Sequence, residues 1–181
     1  MNLVSAVSDL LDGPHEFVRD AKNAGLGWTG LAAYALGVFS CYVFLRLFSA
    51  VPPGIYSFSN IFLLALGLNF FFAASIHLFL EMTGSEGSAV RLFLMFGFTE
   101  LFWGLLVPLG FLAKLGCLTP VSDFLLCFLF VIIGRIAMIK RLYSVSSNKA
   151  FLAVGLPYAA LIAGSFMAFV YGIVYLVWLV I

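Results

Sequence analysis

The run Ala150–Ile181 contains no charged residue. As an α-helix rising about 1.5 Å per residue it would reach about 48 Å, well beyond the roughly 30 Å hydrocarbon core of a bilayer. Such a helix must tilt, begin in the interface or break, and Pro157 is the natural breaking point. Four more apolar runs precede it. They cover about Trp28–Val51, which Pro52-Pro53-Gly54 stops; about Asn60–Met82, followed by the turn-rich Thr83-Gly84-Ser85-Glu86-Gly87-Ser88; about Ala89–Leu115; and about Val121–Leu142. Each exceeds the roughly 20 residues that a crossing requires. The pattern predicts an all-α, polytopic transmembrane helical bundle of about five spans, forming one domain over residues 26–181.

Composition excludes the soluble alternative. Of 181 residues, 64% are hydrophobic and 9% are charged, whereas a soluble domain carries about a quarter charged residues. The 9 Lys+Arg against 8 Asp+Glu leave a net charge of +1, which points to no nucleic-acid or acidic partner. The partner this composition demands is the lipid bilayer, with a membrane-protein partner or a second copy of the chain as further possibilities.

Residues 1–25 form a polar head with no cleavable signal: Asp9, Asp12, Glu16, Arg19, Asp20 and Lys22 break up any apolar stretch. Leu3, Val7, Leu10 and Leu11 recur at helical spacing and predict a short amphipathic helix. Gly13-Pro14 interrupts it, and Pro14 suits the first turn of a second short helix. These helices would lie in the membrane interface or pack across the mouth of the bundle. The positive-inside rule sets the orientation. With the N-terminus inside, Arg19, Lys22, Arg91, Lys140, Arg141 and Lys149 collect on the inner side and Lys114 alone on the outer side. The expectation is a cytoplasmic N-terminus and an external C-terminus.

Charges inside the spans are costly without a partner or water. Glu100 falls near the middle of the third run, Arg135 in the inner half of the fourth, and His77 and Glu81 on one face of the second, four residues apart. His77, Glu81, Glu100 and Arg135 would then form one polar cluster. Three readings stay open for it: a buried Glu100–Arg135 pair that fixes helix register, a proton or ion site titrating at Glu100 and His77, or a cavity for a lipid headgroup or partner. Arg46 and Lys114 are placed to snorkel to the interface, and Asp123, after Thr119-Pro120, suits the first turn of the fourth span. In the last run Ala160, Gly164, Ala168 and Gly172 recur at four-residue steps, a small-residue stripe that lets another helix approach closely, within the chain or from a second copy.

Nothing in the sequence signals catalysis or a cofactor. There is no HExxH, GxSxG, nucleotide-binding glycine loop or paired metal-ligand carboxylates. Cys41, Cys117 and Cys127 are widely spaced, without a CxxC, and point to neither a metal site nor a disulfide framework.

Three segments resemble the Yip family, the Ypt/Rab-interacting five-span membrane proteins, in its compact prokaryotic form. They are Asp12-Gly13-Pro14-His15-Glu16-Phe17-Val18 in the head; Ser75-Ile76-His77-Leu78 through Glu81 to Gly84, Gly87 and Ser88; and Ile133-Gly134-Arg135 through Leu142-Tyr143-Ser144-Val145-Ser146-Ser147-Asn148-Lys149-Ala150 to Leu156-Pro157. The resemblance implies a protein of the prokaryotic cytoplasmic (inner) membrane that is no enzyme and that organises or scaffolds membrane protein or lipid partners. The alternative is a small transporter or channel that uses the intramembrane Glu/His/Arg cluster.

Overall fold

The computed structural model describes residues 23–180. The amphipathic head expected over residues 1–25 lies almost wholly outside the described residues. Five helical spans, each long and apolar enough to cross a membrane, make up the described chain. The first is α1 (Asn23–Leu47) and the second α2 (Ile55–Met82). The third consists of α3 (Ala89–Glu100), a 3-10 stretch over Leu101–Leu105, and α4 (Leu106–Lys114). The fourth is α5 (Pro120–Leu142) and the last is α6 (Ser147–Val180).

Local chemistry explains the ends. Helix α1 stops at Leu47, four residues short of the expected Val51, because Ser49 turns left-handed (φ 56°). The amides of Ser49 and Ala50 then donate to the carbonyls of Arg46 (3.0 Å) and Leu45 (2.9 Å), a Schellman closure. The Arg46 guanidinium caps the same turn by donating to the Val51 carbonyl at 2.7 Å. Gly84 (φ 79°) ends α2 and Gly116 (φ 79°) ends α4 in the same way, at positions where a side chain would be strained. Helix α2 starts at Ile55, earlier than the expected Asn60, directly after the Pro-Pro-Gly turn, which Tyr42 holds through its hydroxyl to the Gly54 amide (3.1 Å). At α5, Thr119 and Ser122 form a reciprocal capping box ahead of Pro120, with Asp123 in the first turn.

The third span is the centre of the bundle and packs on α1, α2 and α5. Its crossing with α1 is a backbone-to-backbone contact: a Cβ on Gly97 would fall 2.2 Å from the Gly30 carbonyl oxygen, and one on Gly37 would fall 2.3 Å from that of Glu100. Tyr34 locks the pair by donating to the Phe93 carbonyl at 2.7 Å. The main core cluster joins Tyr34, Phe72, Ile76, Leu92, Phe96 and Ile139 across four spans.

Helix α6 does not break at Pro157 but runs on through it. Its first part docks on α2 and α5 through buried Ala150, Ala153, Val154 and Pro157. Beyond Tyr158 nearly every described residue is exposed. The stripe Ala160, Gly164, Ala168 and Gly172 is therefore uncovered among the described residues. A Cβ on Gly164 or Gly172 would meet nothing within 4 Å, and a shallow groove runs between Phe71 and the Ala160–Ala168 part of the stripe. The close approach that small residues permit is found instead at Gly30, Gly37 and Gly97.

Candidate functional site

The four ionisable residues singled out in the sequence fall into two separate sites. Glu100 and Arg135 meet in the bundle interior, both nearly fully buried. Arg135 has five N–H groups to satisfy. Its Nη2 donates to Glu100 Oε1 and Asn69 Oδ1, its Nη1 to the Tyr158 hydroxyl (2.6 Å) and its Nε to Thr99 Oγ1 (3.4 Å). Thr99 passes the chain on by donating to the Phe96 carbonyl at 2.7 Å. The guanidinium also stands 4.6 Å from the Phe96 ring centroid, a cation–π contact in a low-dielectric setting. Glu100 Oε2 accepts from the Trp103 indole at 2.9 Å. That bond is made at the start of the 3-10 stretch, where side chains three apart eclipse. Pro108, just downstream in α4, has no N–H for the Gly104 carbonyl four residues back, so the regular α-helical bond is missing where the 3-10 stretch ends.

This network forms the polar floor of a cavity of about 400 Å³. All five spans reach its lining, from Val38 and Cys41 of α1 to Leu161 and Ile162 of α6. Its walls are apolar and rich in rings: Phe72, Trp103, Phe124 and Phe128. Ile162 is 70% exposed on the outer face of α6 and also lines the cavity, so the space opens sideways, toward where lipid would lie.

His77 and Glu81 sit at the end of the bundle where α2 and α5 finish and α3 and α6 begin. His77 Nε2 is 3.6 Å from Glu81 Oε2, and its Nδ1 is 2.9 Å from the Tyr143 hydroxyl. Glu81 is two-thirds exposed, so this pair is screened and weak. Together with Gly84, Ser85, Glu86 and Gly87 they line a polar recess of about 290 Å³. Lys149 closes its rim by donating to the Thr83 carbonyl and the Ser85 hydroxyl, each at 2.8 Å. Gly87 is needed here because a Cβ would fall 2.1 Å from the Tyr143 ring.

Burial, and then the charge of Glu81, push the Tyr143 phenol up to about 12. The unfolded chain would lose this proton near pH 10, so the folded state binds more protons between these values. Tyr143's contribution to stability is complete below about pH 10 and is lost as pH rises toward about 12. Thermal unfolding in detergent followed by circular dichroism should show this decline, and Tyr143→Phe should flatten it.

The remaining candidates are local. Lys114 lies over the Phe48 ring at 5.1 Å, and Asp123 is buried with Oδ2 lacking a partner among the described residues. No group of three or more His, Cys, Asp or Glu able to hold a metal occurs among the described residues. Reading the sequence for charge missed Asn69, Thr99, Trp103 and Tyr158; the signal for Asn69 was an amide alone in an apolar run.

Compared with family models, curated proteins and solved structures, the chain matches none. The class that stands on the fold alone is a five-span helical integral membrane protein.

Proposed function

We propose that this chain is a non-enzymatic membrane organiser of the Yip type, a rigid five-helix scaffold that holds protein or lipid partners. The observation that carries this reading is the commitment of Arg135, four of whose N–H groups go to Glu100, Asn69, Tyr158 and Thr99. A charge clamped by that many neutral and anionic groups ties spans two, three, four and five into one register. A relay group needs a proton path that such clamping does not offer. The positive-inside rule supports a cytoplasmic location for the end bearing Arg91, Lys140, Arg141 and Lys149.

A second reading, a small transporter, is favoured by one observation: the cavity reaches the Glu100–Arg135 pair. Reconstituted liposomes separate the two. The scaffold reading expects proton and ion leak no greater than in empty liposomes, and crosslinking in native membranes should yield a discrete protein or lipid partner. Flux that Glu100→Gln abolishes would establish the transporter instead.

A further inference from the structure

The floor of the intramembrane cavity is polar yet electrically balanced. Glu100 and Arg135 are the charged residues of its lining, and they neutralise each other. A ligand bringing its own charge would bury a third, uncompensated one at high cost. The hydrogen-bond inventory is not balanced. The Tyr158 hydroxyl accepts from Arg135, and its own proton has no acceptor among the described residues. Asn69 spends one amide hydrogen on the Ala65 carbonyl (2.9 Å) and keeps a second. Both residues line the cavity. Spare donors beside a neutral pair select an oxygen acceptor without charge. The ring-rich walls provide faces and edges for a flat head, and about 400 Å³ lies within the range of small-molecule sites. The opening past Ile162 leaves an apolar tail in lipid.

We propose that this cavity binds an uncharged amphiphile through a carbonyl-bearing head, with the Tyr158 hydroxyl and the Asn69 amide as donors and its apolar tail leaving past α6. The site goes beyond the scaffolding reading and does not depend on it. A quinone with a hydrocarbon tail and an acyl-ester lipid both present this chemistry.

Trp103 lies in the lining and reports occupancy, whereas Trp28 and Trp178 are 77% and 74% exposed and would answer to any quencher dissolved in the micelle. The test uses the full chain in detergent with Trp28→Phe and Trp178→Phe, titrated with a decyl-substituted benzoquinone. Saturable quenching of Trp103 is expected. Ala65→Phe or Ile61→Phe, each filling the cavity from α2, should remove the saturation while helical circular dichroism and monodisperse elution stay unchanged; two variants guard against one that fails to fold. Tyr158→Phe should weaken binding about tenfold. Displacement by monooleoylglycerol at lower concentration assigns the site to an ester lipid, and resistance to it assigns a quinone; both uphold the proposal. Linear, unsaturable quenching, saturation indifferent to the cavity-filling variants, or oleate anion displacing the quinone as well as monooleoylglycerol would overturn it. Liposome flux and partner crosslinking move independently of these readouts, so failure here and failure of the scaffold reading are distinguishable.

Discussion

Replacing Arg135 with Met while Glu100 remains should destabilise the bundle by about 3–5 kcal/mol, because a carboxylate is left buried without its counterion. The double variant Glu100→Leu, Arg135→Met should cost less, since no orphaned charge remains and only the bonds to Asn69, Thr99, Tyr158 and Trp103 are forfeited. Unfolding titrations in mixed micelles on the four members of this cycle measure the coupling directly. A coupling of at least about 1 kcal/mol is expected for groups in contact. Additive effects of the two changes would reject the pair as a unit.

The second large effect concerns the crossing of α1 and α3. Gly97→Leu places its first side-chain carbon against the Gly30 carbonyl, at a position 2.2 Å from that oxygen. The obstructing atom is backbone, so no side-chain rotation relieves it, and the two helices must separate. Overpacking costs about 1–3 kcal/mol, and the upper end is expected here because the shift would also pull Tyr34 from the Phe93 carbonyl. Gly164→Leu on α6 serves as the control, with open space around its Cβ. It should leave the unfolding of the monomer unchanged in the same titration. Equal losses for the two variants would contradict the packing described for α1 and α3.

The contrast between these glycines shows where sequence reasoning held and where it stopped. Five spans were legible because each run is long and apolar, and those properties need no knowledge of neighbours. The meeting of Glu100 and Arg135 followed from depth, since two opposite charges at similar levels of a bilayer have few other ways to be satisfied. The stripe on α6 did not locate the close crossing within the chain. The regular stripe on α6 stands open within the chain, whereas Gly30 and Gly37 of α1, seven residues apart on one helix face, and Gly97 of α3 make the tight crossing. Periodicity reveals which face a residue occupies but not what lies opposite. The same limit explains His77. Its helical face was right, but depth separated it from Arg135 and set it beside Tyr143, a residue beyond the fourth run whose position depended on how that helix ended.

The 3-10 stretch over Leu101–Leu105 has a geometric consequence for the cavity. An α-helix turns about 100° per residue and a 3-10 helix about 120°, so five overwound residues advance the rest of the span by about 100° in azimuth. The two halves of the third span thus act as one rod with a torsional offset. The first half packs on α1, α2 and α5, and the second half packs chiefly on α1 and α5. Trp103 of this stretch lines the cavity across from Ile61, Ala65, Leu68, Asn69 and Phe72 of α2. Restoring plain α-helical pitch, as Pro108→Ala would favour, should turn α4 relative to α3 and reshape the cavity around Trp103.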